Sequence, residues 1–179
     1  PKKQLQDLTF RSIGPAGMSG RITAIQVDPR DKNHIYVGSA SGGMWHSRNG
    51  GTSWDCLFNN EAVSSVGALA LDPKNPDVIW LGTGEGNPRN SNTGGAGLYK
   101  SSDGGKNWKL IGLEATRHIH RILVNPDQPN IVYVAAIGNP WADSEHRGVY
   151  KTSDGGKTWK NILYKNKRTG AAEMVMDPQ

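Results

Sequence analysis

The stretch Tyr150-Lys151-Thr152-Ser153-Asp154-Gly155-Gly156-Lys157-Thr158-Trp159 occurs in two earlier versions, at residues 99–108 and 45–54. Each version brings an aromatic in an incoming strand (Trp45, Tyr99, Tyr150). A turn of Asp-Gly-Gly or Asn-Gly-Gly follows, whose glycines supply positive φ, and a strand restarts on a Trp. This pattern predicts a β-hairpin. In it Asn49, Asp103 and Asp154 accept hydrogen bonds from their own turns, while Trp54, Trp108 and Trp159 supply large apolar surfaces for burial. These six residues are read as structural. The three Trp residues that follow the turns stand 54 and 51 positions apart. A period near fifty marks a propeller or solenoid, in which each unit buries its core only against its neighbours.

Aligning on the hairpins exposes the rest of the repeat. Each copy opens on an apolar run ending in Asp-Pro or Asn-Pro, at residues 22–29, 67–73 and 120–126, and a fourth opening stands at 173–178. A second run, at 35–38, 79–82 and 132–135, is rich in β-branched and aromatic residues, as buried strands are. The third strand leads into the turn and the fourth begins at its Trp. Four short strands with short connections make a meander, and meanders repeated radially make a β-propeller. A solenoid generally has shorter rungs, and an open sandwich needs no such repetition. The predicted fold is therefore all-β, a propeller with blades at 20–58, 63–113 and 117–164 and the start of a fourth at 171–179. Residues 1–9 form an N-terminal tail. Residues 10–14 echo 108–112 and are expected to be a ring-closing outer strand or a short edge strand. A ring needs roughly four to eight blades, so completion by further blades in the same or another chain is expected.

Composition narrows the function classes. The net charge of +5 is spread through every repeat, unlike the clustered charge of a nucleic-acid groove. No apolar run is long enough for a membrane-spanning helix. Cys56 is the single cysteine, which leaves no intrachain disulfide and no CxxC metal site; beside Leu57 and Phe58 it reads as a buried small hydrophobe. Residues for a phosphate loop, a Gly-x-Ser-x-Gly elbow or a His-Glu-x-x-His helix are not found. No metal and no cofactor is expected.

The pattern Ser101-x-Asp103-x-Gly105-x-Asn107-Trp108, repeated as Thr152 to Trp159 and, with Asn49 in place of Asp, as Ser47 to Trp54, resembles the Asp box or BNR repeat. That repeat occurs in sialidases, xyloglucanase-like hydrolases, sortilin-type receptors and a photosystem assembly factor. The likeness runs from about Gly20 onward and implies the propeller fold; since the box is structural in enzymes and binders alike, it leaves function open. The overall look is that of large secreted bacterial proteins labelled glycosyl hydrolase or sortilin-like, which implies a secreted, periplasmic or cell-surface location. Xyloglucanase-like enzymes carry a catalytic Asp after the second strand of their opening blade. The matching run here is Tyr36 to Gly43, and Ala40 stands at the place of the acid, which speaks against hydrolysis by that mechanism.

The Asp/Asn-Pro turns and the Asp-Gly-Gly turns vary little among the repeats, whereas the second connections (39–43, 83–97 and 136–148) and the inter-blade links vary in length and charge. Variable loops on a rigid scaffold are where ligands bind. The two long loops share Gly-Asn-Pro at 86–88 and 138–140, read as a common turn, and then diverge. Candidate ligand-binding residues are Arg21, Glu85, Arg89, Asn90, His118, His120, Trp141 and His146. Trp141 is the one Trp outside a strand or hairpin turn; it either stacks on a sugar or peptide side chain or folds back over its own loop. His118 and His120 share a strand face and would admit a metal with Glu85, although satisfied strand histidines are commoner. Glu85 and Glu145 are the candidate acid/base pair of a glycosidase. The reading that results is a non-catalytic module binding a peptide, protein or glycan through its variable loops. The alternative is a glycoside hydrolase whose acids lie on these loops or on other blades.

Overall fold

A computed structural model describes residues 20–87 and 89–177. The tail at 1–9 and the proposed closing strand at 10–14 lie outside the described residues. Among the described residues twelve short strands form three four-stranded antiparallel sheets, each a meander in chain order. The first contains β1 (Ile22–Val27), β2 (Ile35–Ser39), β3 (Met44–Ser47) and β4 (Asp55–Cys56); the second contains β5 (Val66–Leu71), β6 (Ile79–Thr83), β7 (Leu98–Ser101) and β8 (Lys109–Leu110). The third contains β9 (Ile119–Val124), β10 (Val132–Ala136), β11 (Gly148–Thr152) and β12 (Lys160–Leu163). Among the described residues a 3-10 turn, Glu114–Thr116, lies in the second link. The first strands pack side by side, β1 on β5 and β5 on β9, so the sheets stand as blades around a common axis. The expected fourth opening forms no strand over residues 171–177. A first strand pairs only with the second strand of its own blade, and in the other repeats that strand follows the Pro.

Two cores fill the gaps between blades. Between the first and second, Tyr36, Met44 and Phe58 meet Val66, Leu71, Ile79, Leu81 and Tyr99; between the second and third, Ala70, Trp80 and Leu98 meet Ile119, Ile122, Val132, Val134 and Tyr150. β5 is buried along its whole length because it has a blade on each side. On β1, which has a neighbouring blade on one side only among the described residues, Ile25 is 59% exposed where its counterpart Leu69 is 4% exposed. At each centre an aromatic of the second strand lies beside a basic residue of the third. Lys100 Nζ sits 4.3 Å from the Trp80 ring, Lys151 Nζ 5.3 Å from Tyr133, and His46 stacks on Tyr36 at 4.1 Å. Burial holds His46 neutral, its pKa lowered to about 4.

The hairpin turns explain their own sequence. Both glycines in all three turns have φ between 65° and 95°, which penalises any side chain. Asp103 Oδ1 accepts from Asn107 N at 2.9 Å and from the Ser101 hydroxyl at 2.8 Å, and Oδ2 accepts from Asn107 Nδ2 at 2.6 Å. Asp154 does the same with Thr158 and Thr152. Asn49 keeps the pattern through Oδ1, which accepts from Ser53 N, and through Nδ2, which donates to Ser53 Oγ. The Trp that follows each turn reaches for the preceding blade. Trp108 Nε1 donates to Leu57 O at 2.8 Å with its ring edge-on to Phe58, and Trp159 Nε1 donates to Ile111 O at 3.0 Å. Trp54 has no preceding blade among the described residues; it donates to Gly51 O of its own turn and is 39% exposed.

Trp108→Ala is expected to cost about 3 kcal/mol in denaturant unfolding, because it empties a blade junction and orphans Leu57 O, against about 1 kcal/mol for Trp54→Ala. Equal losses would contradict the junction role. Hydrogen bonds from Asn107 and Ser101 lower the Asp103 carboxyl to about 2. The unfolded value lies near 3.9, so the stability gained from this carboxylate is complete above about pH 4 and lost as pH falls toward 2. Asp103→Asn, which copies Asn49, should keep most of the melting temperature at pH 7 and flatten its decline between pH 4 and 2. Asp103→Ala should lower the melting temperature at neutral pH, and equal melting of the two variants there would sink this account.

Candidate functional site

The variable loops gather at one end of the sheets: the β2–β3, β6–β7 and β10–β11 connections together with the links between blades. Every first strand carries a β-bulge as it leaves this end. The register shifts between Ile22 and Ala24, between Val66 and Ala68, and between Ile119 and Arg121, leaving Thr23, Gly67 and His120 as the extra residues. Thr23 Oγ1 uses the bulge to reach Val66 O at 2.7 Å, across the first junction. His120 is half-buried against Gly86, where an added Cβ would lie 2.3 Å from its Nδ1. His118 precedes β9 and His120 is the bulged residue, so the alternation expected of the pair does not hold.

Glu85 is the most constrained residue here. Its carboxylate is fully buried and takes a fork from Arg21 of the first blade, Nε to Oε1 and Nη2 to Oε2, both at 2.7 Å. Its N–H donates to Thr93 O and Ser65 Oγ, and its carbonyl lies 2.7 Å from His118 Nδ1. The Arg21 guanidinium holds the Glu85 carboxyl below the usual range, with smaller contributions from Arg89 and His118; burial opposes them and loses. Glycine backbone lets the 84–97 loop close on the following link. Gly84 has φ 87° and would place a Cβ 1.9 Å from Arg117 O, while Gly95 N donates to that oxygen at 2.7 Å. Arg117 itself has φ 58°, a left-handed conformation that a side chain disfavours.

The remaining candidates lie on the outside of the loops. Arg89 forks onto Ser91 Oγ and Asn90 is exposed. Trp141 is 64% exposed, so it does not fold back over its loop. Beneath it Arg147, almost fully buried, donates to the carbonyls of Ile137, Asn139 and Ala142. Three contacts tie this loop to the following link: Asp143 to Arg168 at 2.9 Å, Glu145 to Lys167 at 3.1 Å, and Ser144 N to Lys167 O at 2.9 Å. His146 is exposed. Glu145 and Glu85 are therefore engaged by different cations, with no contact between them. Ala40, at the position expected of a catalytic acid, is buried and donates its N–H to Arg21 O. Among the described residues no three His, Cys, Asp or Glu side chains gather around one point.

Sequence reasoning noted Arg117 and Arg147 only among the charges of the links and loops, and passed over Ser65. Ser65 carries no special pattern, and a positive φ at Arg117 is invisible in a residue that seldom adopts it. Arg147 reads as one more loop charge until its three carbonyl partners are seen.

Four-stranded meander blades arranged radially define the class of the protein, a β-propeller, and solved structures agree. No family model and no curated protein matches the sequence. A GH74 enzyme from Niastella koreensis is similar at 26% identity over 78% of this chain and 21% of that one, with a TM-score of 0.60. YCF48 from Cyanidioschyzon merolae is similar at 18% identity over 85% and 40% of the two chains, TM-score 0.55. A structure of YCF48 bound to D1 peptide gives 17% identity, 82% and 42% coverage, and a TM-score of 0.54. The chain thus spans about a fifth of the GH74 enzyme and two fifths of YCF48.

Removing Arg21 leaves Glu85 buried without its cation, the costly way to break an ion pair. Arg21→Met should speed amide hydrogen exchange at Glu85 and Gly95, while Arg21→Met with Glu85→Leu should restore much of the protection. Unchanged exchange in the single variant would show that the pair does not hold the loop.

Proposed function

We propose that the chain is part of a non-catalytic propeller module that binds a peptide, protein or glycan at its variable-loop end, with Trp141 as the stacking anchor. One observation carries the reading: Trp141 is 64% exposed on a loop fixed from beneath by Arg147 and from the side by Arg168 and Lys167. A rigid, exposed aromatic rimmed by charges loses little entropy when a ligand covers it. The solved structure of YCF48 with D1 peptide supports peptide binding by a propeller of this kind. The likeness of the hairpin turns to the Asp box supports a secreted or cell-surface protein. The exposed junction face of β1 supports completion of the ring by further blades, in the same chain or in another.

The hydrolase alternative draws on the GH74 likeness. Glu85 does not favour it, because a carboxyl held ionised by an arginine fork is a poor general acid, and its full burial keeps it from reaching a substrate as a base. Any acids would come from other blades.

The test uses the complete protein on glycan and peptide arrays. Trp141→Ala should weaken binding about thirtyfold, the equivalent of about 2 kcal/mol, with no change in melting temperature. Glycan cleavage that disappears in Glu85→Gln at unchanged substrate affinity would overturn the proposal.

A further inference from the structure

One basic position of the repeat departs from its two counterparts. In the second blade Lys100 lies over Trp80 and donates to Gly155 O, in the hairpin turn of the next blade, at 3.0 Å. His46 holds the same place in the first blade, stacked on Tyr36 with the rings 3° from parallel. It reaches no turn: among the described residues neither ring nitrogen has a hydrogen-bond partner, although the residue is only 3% exposed. A Cβ at Gly155 would lie 3.6 Å from Lys100 Nζ, whereas one at its counterpart Gly104 would have nothing within 4 Å. Arg30 supplies a cation at this junction instead, bonding Asp77 of the second blade at 2.9 Å.

A buried neutral imidazole without partners is tolerable, but a buried imidazolium without an acceptor is far more costly. The charged groups around the ring do not supply one. Asp55, opposite His46 on β4, pairs with Arg48 of the His46 strand, and Asp28 is forked by Arg30. Asp31 lies 3.8 Å from His34 Nε2, and the His34 ring stands 5.2 Å from that of His46. On the facing blade Asp77 is held by Arg30, and Asp103 by its own turn. Tyr36 is a phenol whose own pKa burial pushes up. Arg48 and His34 oppose a proton on His46 while Asp55 and Asp28 favour it, and burial is the largest influence.

We infer that the junction between the first and second blades is an acid-sensitive latch, in which His46 takes a proton only when the blades part. Tyr36 belongs to the core that joins these two blades, so a ring stacked on it leaves the dry stack only as the junction opens. The freed ring takes its proton near pH 6.5 and the buried ring near pH 4. Closure is therefore fully favoured above about pH 6.5 and loses its advantage as pH falls toward 4, about tenfold in the open-to-closed ratio for each pH unit. The latch extends to the variable-loop end, because the Arg21–Glu85 fork and the bond from Thr23 Oγ1 to Val66 O cross the same junction. The next junction has a lysine with an acceptor at this place, and so has no such response. The latch is independent of which ligand the loops take.

The test compares two indoles in the full chain. Trp108 Nε1 is bonded across the first junction and Trp159 Nε1 across the second. The ratio of their hydrogen–deuterium exchange rates, read by NMR, therefore separates opening of the first junction from intrinsic exchange chemistry and from global unfolding. That ratio should rise about tenfold between pH 6 and pH 5. His46→Phe keeps an aromatic on Tyr36 and removes the titrating group. His46→Lys installs the residue of the other two repeats and serves if the phenylalanine variant does not fold. In either variant the ratio should be independent of pH. The ring resonances of His46 in the folded chain should titrate near pH 4. A pH-independent ratio in the unmodified chain, a pH dependence that survives in a folded variant, or titration of His46 near pH 6.5 in the folded chain would each overturn the inference.

Discussion

An indole N–H donated across a blade junction is the contact on which the rest of the structure depends. A four-stranded meander has two apolar faces and no interior, so it gains stability only when another blade covers it. The hairpin turn aims its Trp at the blade before it, and Leu57 O and Ile111 O receive the N–H. Each contact satisfies a carbonyl in a link while the ring fills the adjacent gap, and so fixes spacing and rotation between sheets together. Trp54 shows the same residue without that partner: it turns onto its own Gly51 and stays exposed.

With the blades fixed, the opposite end of each sheet is free to vary. Its loops are not loose. Arg21 reaches from one blade to the buried Glu85 of the next, and Arg147 gathers three carbonyls of its own loop. Charges that look like candidate catalytic groups in the sequence are spent on holding backbone. Trp141, by contrast, stays exposed.

Similarity to a GH74 enzyme and to YCF48 establishes the scaffold and leaves the chemistry to the loops. The carboxylates of this chain illustrate why. Glu85 and Glu145 occupy loops where acids of a hydrolase would be plausible, yet each is engaged by a different cation.

Much of the fold was legible in the sequence because it repeats. Three Asp-Gly-Gly or Asn-Gly-Gly turns, each followed by Trp at a step near fifty, dictate hairpins through local backbone preference, and the second strands announce their burial by composition. Local chemistry of this kind needs no partner distant in the chain. The site was legible only as a set of loops. Whether Glu85 titrates, binds or braces depends on Arg21, 64 residues earlier, and whether Trp141 is a platform or a plug depends on Arg147 beneath it. The bulge that redirects His120 and the positive φ of Arg117 likewise arise from packing between blades. The sequence by itself determined the repeating unit, since turn geometry and strand pattern are local; tertiary structure decided which charges are spent and which are free, since ion pairing depends on distances that the chain sets only by folding.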